Sequence, residues 1–339
     1  MAESMILDGK KVANEIYEKL TPIMENITGP KLIIVTTGDQ DASKVYVNSK
    51  VKKCNALDIE CQVIHYDFLN EEAIDDMLSE MHWFRFPPFI IQLPITGSVS
   101  KATIYNKMFK YMKEHNYIDP EERIARCDVD GLISAKNITF LERPEYIYGN
   151  SNPSLLHHIN LPCTPLGIMT LLDYYQYFDN TVNKNVVIFG RSDLVGKPLE
   201  RMLMDRDFTV TVCHSKSPSL TIDNAIYNAD LIISAIGNND LLTYDYLSKF
   251  KGILSGKTLV DVGINRDTNG KLRGDCDPNA LEWFGSYTPV PGGVGPMTVA
   301  MLMCNIVKFY QHNYEHDYVG ALQSIYPTKY TPINMNIYK

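Results

Sequence analysis

The chain has 339 residues, a length that predicts about two domains with a sizeable core and excludes a single small module. With 45% hydrophobic residues, 21% charged residues and a formal net charge of -8, the composition is that of a globular protein, and it excludes wholesale disorder and a general nucleic-acid-binding surface. No apolar run approaches the roughly 20 residues that a membrane span needs. The N-terminus carries an acidic residue and no basic and apolar leader, so we expect a cytoplasmic protein without a membrane span.

The seven cysteines are scattered and form no CxxC pair. An odd, scattered set argues against a disulfide framework and against a thiolate metal site. We therefore expect the cysteines to be reduced, six of them serving as packing residues, and we expect no bound metal.

The first half of the chain alternates helix and strand patterns. Asp8 is a candidate N-cap for a helix whose apolar residues recur from Val12 to Ile23, and the apolar run 32–35 predicts a buried strand. The segments that follow predict helix over 42–56, strand over 60–66, helix over 71–83, strand over 89–93 and helix over 101–115. This alternation is typical of an α/β sheet covered by helices.

The second half opens after an irregular stretch, 133–161, which predicts a domain junction. Thr164 and Pro165 are typical of an N-cap and a first helical position, for a helix that ends near residue 177. Strand patterns at 185–189, 209–213, 230–236 and 258–262 predict a doubly wound parallel sheet of the Rossmann type. A last helix over 295–311 carries apolar residues on one side, and a polar tail follows it.

The stretch from Val186 to Pro198 is an apolar strand that runs into a turn bounded by Gly190 and Gly196 and then into a helix. This order presents backbone N–H groups and a helix N-terminus to a pyrophosphate, with glycine allowing close approach. The G-x5-G spacing differs from the usual dinucleotide fingerprint. A tight turn without a ligand is the alternative.

The end of the next predicted strand bears on the choice of cofactor. A site for NAD usually places Asp or Glu about 20 residues after the glycines, whereas this chain has Cys213, His214, Ser215 and Lys216. These hydroxyl and cationic groups, with Arg191, are suited to a 2′-phosphate and favour NADP. The alternative is that they are solvated loop residues.

Four segments carry candidate catalytic groups. Tyr46 and Lys50 are one helical turn apart, and a buried lysine is a usable general acid or base near neutral pH. Gln92 ends an apolar strand, where a polar side chain needs a partner. Asp128 and Asp130 place two carboxylates in one turn, and the Gly/Pro loop 287–298 leads into the last helix.

In this order, the segments closely resemble the bifunctional methylenetetrahydrofolate dehydrogenase/methenyltetrahydrofolate cyclohydrolase family, from about Met5 to Tyr310. The matching stretches are 46–50, 92–94, 128–131, 162–167, 190–198, 213–215, 261–265 and 288–298. The resemblance implies oxidation of 5,10-methylenetetrahydrofolate by hydride transfer to NADP and hydrolysis of the methenyl product to 10-formyltetrahydrofolate. These reactions belong to one-carbon metabolism and support purine biosynthesis.

The resemblance also implies roles for individual residues. Lys50 is implied to be the essential catalytic residue, with Tyr46, Gln92 and Asp130 beside it in the catalytic set. The implied substrate-binding residues are Tyr46, Gln92, Pro94, Asp130, Pro291, Gly292 and Gly293. The implied NADP-binding residues are Gly190, Arg191, Ser192, Gly196, His214, Ser215 and Ile264. No metal takes part in this scheme.

The implied architecture has two α/β domains with the folate cleft between them. We assign residues 1–160 to a catalytic folate-binding domain, 161–290 to an NADP-binding domain, 291–311 to a helix that returns to the first domain, and 312–339 to a tail. The resemblance further implies a homodimer formed through the second domain. The partners are then a tetrahydrofolate substrate and a second copy of the chain, with no nucleic acid and no membrane.

Two departures keep alternatives open. Cys127 stands where the family usually has lysine, and the tail after His312 is longer than is typical. One alternative is a dehydrogenase without cyclohydrolase activity, with NAD or NADP as its cofactor. A folate- or nucleotide-binding protein that has lost catalysis is the other. We expect the tail to be dispensable for chemistry, because it shows no amphipathic period and no cluster of catalytic side chains.

Overall fold

The computed structural model describes residues 3–39, 41–133, 160–179, 184–237, 241–267 and 269–313. Most of the predicted junction and the tail from residue 314 lie outside these ranges. The described residues form two units: unit 1 has those up to Glu15 and those from Thr164 to Ala300, and unit 2 has those from Ile16 to Cys163 and those from Met301 onward. The boundaries that we assigned along the sequence remain predictions.

Over its described residues the chain forms eleven strands, eleven α-helices and one 3-10 helix. They are β1 (Met5–Ile6), α1 (Gly9–Met24), β2 (Lys31–Thr37), α2 (Asp41–Ala56), β3 (Glu60–Tyr66), α3 (Glu71–Trp83), β4 (Phe89–Ile91), α4 (Lys101–Glu114), α5 (Pro120–Cys127), α6 (Cys163–Tyr174), β5 (Asn185–Phe189), α7 (Gly196–Met204), β6 (Thr209–Cys213), α8 (Ser219–Asn228), β7 (Leu231–Ser234), α9 (Tyr244–Ser248), α10 (Lys251–Leu254), β8 (Thr258–Asp261), β9 (Asn265–Arg266), β10 (Leu272–Arg273), a 3-10 helix (Pro278–Trp283), β11 (Ser286–Tyr287) and α11 (Val294–Asn313).

Unit 2 contains a parallel sheet of described strands in the order β3-β2-β4. The central strand β2 is fully buried from Leu32 to Val35, so its unbroken apolar run is what a strand covered on both faces requires. Side-chain caps mark where the helices begin: Asn70 accepts from the Ala73 backbone at 2.8 Å before α3, and Ser100 accepts from the Thr103 backbone at 3.1 Å before α4.

Unit 1 contains a larger parallel sheet, whose described strands lie in the order β1-β11-β8-β7-β5-β6. The order reverses at β5, because β6 lies on one side of it and β7 on the other. This arrangement is a doubly wound sheet with its switch point between β5 and β7, as the strand pattern predicted. The short strand β1 joins the far edge beside β11, which sequence analysis missed because it has two residues.

Two details of the predicted helices are corrected by the structure. Helix α6 begins at Cys163, one residue before the N-cap that Thr164 was expected to provide. Helix α11 is buried on every side from Val299 to Val307, not on one side only. No charged residue occurs in that stretch, and a helix that is apolar all round is a buried helix.

None of the described helices is both long and apolar enough to cross a membrane. The cytoplasmic location stays a prediction.

Candidate active site

A buried lysine lies at the centre of the polar residues in unit 2. Lys50 is on α2, only 9% exposed, and its Nζ donates a hydrogen bond to Gln92 Oε1 at 2.8 Å. Gln92 follows β4 directly, and its Nε2 donates to the Leu93 carbonyl at 3.0 Å, which fixes the orientation of the amide. Gln92, for which sequence analysis expected a polar partner, therefore has one in Lys50.

The turn after α5 brings two carboxyl groups to the same region. Asp128 is fully buried and its Oδ2 accepts from the Ile133 backbone at 2.9 Å. Asp130, 8% exposed, accepts from the Leu132 backbone at 3.3 Å, and the neighbouring Asp128 carboxyl contributes to raising its pKa. Two neighbouring buried carboxyl groups disfavour the charged form of each other, so this turn does more than reverse the chain.

Two asparagines that sequence analysis did not single out hold this turn. Asn160 Nδ2 donates to the carbonyls of Arg126 at 2.9 Å and of Asp128 at 3.2 Å. Asn305, on α11, donates to the Val129 carbonyl at 2.8 Å. Both asparagines are nearly fully buried, and an isolated amide in an apolar run such as 299–307 is the signal that would have revealed Asn305.

Burial sets the electrostatics of this cluster. It lowers the pKa of the Lys50 amine below its ordinary 10.5, and the nearby Asp130 opposes that shift. Burial also raises the pKa of Asp130 well above its ordinary 3.8, assisted by Asp128 and opposed by Lys50. Each group is thereby shifted toward its neutral form, which suits a lysine that accepts a proton and a carboxyl that donates a hydrogen bond.

Three cysteines lie close enough to Lys50 to affect its pKa: Cys54, Cys61 and Cys163. Cys54 is one turn after Lys50 on α2, and the neighbouring Cys61 together with burial raises the pKa of its thiol. Burial raises the pKa of Cys163 well above its ordinary 9.0, so this thiol stays protonated. We predicted packing roles for most cysteines. The i, i+4 spacing of Lys50 and Cys54 is a signal that could have placed Cys54 near the site, but sequence analysis did not use it.

The remaining predicted substrate-binding residues are distributed over both units. Tyr46 is half-buried one turn before Lys50, and Pro94 is exposed two residues after Gln92, both in unit 2. Pro291, Gly292 and Gly293 belong to unit 1, where Gly292 accepts from the Lys10 backbone at 2.8 Å. The contacts within unit 2 therefore bring Lys50, Gln92 and Asp130 together but do not include the Gly/Pro loop.

In unit 1, the glycine-bounded turn follows β5, next to the switch point. Gly190 has φ +114°, and a Cβ there would lie 2.5 Å from the Ala235 carbonyl oxygen, so this position requires glycine. A Cβ on Gly196, the first residue of α7, would collide with the Gly190 carbonyl. The start of α7 therefore packs directly against the end of β5, and a helix N-terminus at this edge of the sheet is suited to a pyrophosphate.

The turn after β6 lies beside the glycine turn, because the Gly190 backbone donates to the Cys213 carbonyl at 2.9 Å. His214 Nδ1 accepts from the Lys216 backbone at 3.2 Å, and Ser217 Oγ accepts from the His214 backbone at 3.0 Å. Arg191, Ser192 and Ser215 are exposed. The turn presents hydroxyl and basic groups and no carboxylate.

Two buried acids to which sequence analysis gave no role lie near the end of β8, on the other side of the switch point. Asp261, at the end of β8, accepts from the Gly263 and Asp275 backbones at 2.9 Å, and burial raises its pKa to about 6. Asp275 is fully buried. The predicted cofactor-binding Ile264 follows in the same segment and is 49% exposed.

Within the described part of the chain, no group of three or more His, Cys, Asp or Glu side chains is placed to hold a metal ion.

A doubly wound sheet with a glycine-bounded turn at its switch point, together with a buried amine beside two carboxyl groups, defines a nucleotide-dependent enzyme of the α/β class. Comparison with known proteins agrees. Residues 7–110 match the tetrahydrofolate dehydrogenase/cyclohydrolase catalytic domain, and residues 162–314 match the NAD(P)-binding domain of the same family.

Individual relatives are similar over nearly their whole length. The bifunctional protein FolD of Rickettsia akari is 33% identical over 317 residues, which are 91% of this chain and 97% of that protein. The methylenetetrahydrofolate dehydrogenase/cyclohydrolase of Campylobacter jejuni, also named FolD, is 33% identical with a TM-score of 0.71, covering 91% of this chain and 99% of that one. The FolD structure of Trypanosoma brucei, complexed with NADP cofactor and an inhibitor, is 26% identical with a TM-score of 0.73, covering 93% and 100%.

This chain belongs to the tetrahydrofolate dehydrogenase/cyclohydrolase family. The resemblance inferred from the motifs is confirmed, and so is the two-domain α/β fold.

Proposed function

We propose that this chain oxidises 5,10-methylenetetrahydrofolate to the 5,10-methenyl form with NADP and hydrolyses the methenyl form to 10-formyltetrahydrofolate. The observation that carries the proposal is the buried hydrogen bond of 2.8 Å between Lys50 and Gln92, in the same cluster as Asp130. Burying an amine costs free energy because its charged form loses hydration. The same burial lowers the pKa of the amine, which a lysine needs for proton transfer near neutral pH.

In the hydrolytic step, water adds to the methenyl carbon and neutral Lys50 accepts one of its protons, while Gln92 holds the amine by accepting its hydrogen bond. The bond between that carbon and N5 then breaks, N5 takes up the remaining hydroxyl proton, and the carbon becomes the formyl group on N10. Proton transfer of this kind contributes about 10²- to 10⁴-fold in rate. Asp130, protonated because burial raises its pKa, donates a hydrogen bond to the substrate's ring system.

In the oxidative step, the nicotinamide ring supplies the hydride acceptor when the cofactor is bound. The chain's own contribution is to hold that ring against the substrate, and orientation of this kind is worth about 7–11 kcal/mol. Gly190 and Gly196 allow the end of β5 and the start of α7 to pack closely, and the N-terminus of α7 is the proposed site of the pyrophosphate. Tyr46, Pro94 and the loop Pro291–Gly293 complete the proposed folate contacts.

The preference for NADP is proposed from the turn after β6. Ser215, with Arg191 and Ser192 on the neighbouring turn, offers hydroxyl and guanidinium donors to a 2′-phosphate. His214 and Ile264 complete the proposed cofactor site. The NADP complex of the Trypanosoma brucei relative supports this choice.

A spectrophotometric assay tests the whole proposal. Purified protein is mixed with 5,10-methylenetetrahydrofolate and either NADP or NAD, and the methenyl chromophore is followed as it forms and decays. We expect faster formation with NADP and enzyme-dependent decay. Faster formation with NAD, or decay at the uncatalysed rate, would overturn the cofactor choice or the hydrolytic activity, respectively.

We also propose a homodimer formed through unit 1. Leu220 and Tyr227 lie seven positions apart on α8, hence on one face, and are 69% and 61% exposed. Exposed apolar side chains that cluster on one face are typical of an interface, and β6 is an edge strand of the described sheet. Light scattering after gel filtration should give twice the chain mass of 38.5 kDa, and a monomer mass would refute the dimer.

A further inference from the structure

The carboxyl ends of β5, β7 and β8 form one edge of the sheet in unit 1, and ligands of doubly wound folds bind at this edge, at the switch point. Ile236 and Gly237 lie two and three residues after β7, beside the switch point, and Ile264 lies three residues after β8. Ile236 is 37% exposed and Ile264 is 49% exposed. Large apolar side chains exposed at a binding edge are suited to be covered by a ligand ring.

One buried carboxylate is bonded to both of these segments. Asp275 Oδ2 accepts from the Ile236 backbone at 3.0 Å, from the Gly237 backbone at 3.3 Å and from Ser234 Oγ at 2.9 Å. Its other oxygen, Oδ1, accepts from Asn265 Nδ2 at 2.9 Å. Asp275 therefore links the segment after β7 to the residue that follows Ile264.

Asp275 is itself held rigidly. Its backbone N–H donates to Asp261 Oδ1 at 2.9 Å, and the next backbone N–H, of Cys276, donates to Asp261 Oδ2 at 2.8 Å. A Cβ on Gly263 would collide with the Asp275 carboxylate, so the Gly263 backbone packs directly against this carboxylate and restricts its movement. A fully buried carboxylate with four donors has no water to replace a lost partner, and its removal leaves several buried donors unsatisfied.

We propose that Asp275 is a positioning residue for nucleotide binding: by bonding the segment after β7 and the segment after β8, it sets the spacing of Ile236 and Ile264 at the edge of the sheet where the nicotinamide nucleotide binds. The proposal rests on the proposed function, because it assumes that a nicotinamide nucleotide occupies this edge. Asp275 does not touch the reacting atoms. It acts through the two backbone segments.

The test compares Asp275→Asn with Asp277→Asn in the full-length chain. The asparagine amide at position 275 places a donor against existing donors, so the two segments must separate. At position 277, the carboxylate caps the 3-10 helix by accepting from the Asn279 backbone at 2.9 Å, and asparagine caps equally well. The readouts are the Kd of NADP by calorimetry without folate, the KM and kcat of the dehydrogenase, and the cyclohydrolase rate, which needs no nucleotide.

For Asp275→Asn we expect the Kd and KM of NADP to rise at least about tenfold, the scale of a lost hydrogen bond to a charged group. The cyclohydrolase rate and kcat at saturating NADP should change less than about threefold. Asp277→Asn should match the wild type in every readout. An unchanged Kd, or a parallel loss of cyclohydrolase activity in a folded variant, would overturn the proposal, since the latter would mean a general structural role.

A second pair of variants decides the question if Asp275→Asn does not fold. Asn265→Ala removes one bond to the carboxylate and should raise the Kd of NADP severalfold, whereas Asn269→Ala, in the same hairpin, should not. Equal Kd values for these two variants would overturn the proposal. Wild-type protein that binds neither NADP nor NAD would instead overturn the proposed function, so the two failures are distinguishable.

Discussion

The two polar regions of this chain differ in whether their functional side chains are buried or exposed. Around Lys50 the polar groups are buried, bonded to one another and shifted toward their neutral forms. At the carboxyl edge of the sheet in unit 1, Arg191 and Ser215 are exposed. The backbone at this edge is fixed by the tight packing at Gly190 and by the hydrogen bonds that Asp275 accepts.

The difference follows from what each region has to do. Proton transfer at neutral pH requires a lysine whose pKa has been lowered, and burial is the means of lowering it. Binding a multiply charged nucleotide requires exposed N–H donors and exposed cationic side chains, and the backbone fixes the shape of the binding site. If this comparison is correct, damage to the Lys50 cluster should affect hydrolysis, and damage to the edge should affect nucleotide binding.

The largest effect is expected for Lys50→Met. This variant removes the proton acceptor, so the cyclohydrolase rate should fall by about 10²- to 10⁴-fold, while the Kd of NADP stays within about twofold of wild type. Lys50→Arg should be nearly as inactive, because a guanidinium keeps its proton. The methenyl chromophore reports the rate directly.

The matched control is Lys52→Met, an exposed lysine on the same helix. It should retain the wild-type rate. Retention of activity by Lys50→Arg would show that positive charge alone is needed and would contradict the proton-transfer role.

The next largest effect concerns nucleotide binding at the edge of the sheet in unit 1. Arg191→Ala should raise the KM for NADP about 10- to 150-fold and leave the KM for NAD almost unchanged, since only NADP carries the 2′-phosphate. Lys251→Ala, an exposed cation elsewhere in unit 1, is the control. Equal changes for both cofactors would mean that Arg191 does not contact the phosphate.

A third prediction concerns the backbone of the edge. Gly190→Ala forces alanine into φ +114° against the Ala235 carbonyl and should lower the free energy of unfolding by about 1–3 kcal/mol. Gly252→Ala, in α10 with open space around the added methyl, should be neutral or slightly stabilising. Urea unfolding measures both. The prediction fails if the two variants are equally stable.

The smallest effect is a shift of the pH profile. In the wild type, the neutral fraction of Lys50 grows as the pH rises through its lowered pKa, so the cyclohydrolase rate should reach its plateau below pH 10.5. Gln92→Glu places a carboxylate next to the amine, which favours the ammonium form and should move the profile upward by about one pH unit. Gln92→Leu removes the acceptor without adding charge and should show no upward shift.

Much of the fold could be predicted from local patterns. The strands at 60–66, 185–189 and 209–213 agree with the observed bounds, because a run of apolar or alternating residues between turn signals is sufficient for a strand. Helix α5 and the strands β1 and β11 were missed, since two strands of two residues have no period and α5 spans only eight residues.

The site was predictable only in part. Lys50, Gln92 and Asp130 were found through spacing and resemblance, and their contacts agree with that expectation. Asn160, Asn305 and Asp275 were not found, because each is bonded to backbone groups distant in sequence that only the folded chain brings near. The residue roles themselves remain predictions.

The central claim is that burial lowers the pKa of Lys50. The most direct measurement is a titration of the lysine side chains by nuclear magnetic resonance, with 13C label at Cε and Lys50→Arg to assign the signal. We expect Lys50 to titrate clearly below 10.5, the ordinary pKa of a lysine side chain. A Lys50 signal that titrates at 10.5 or above would contradict this claim.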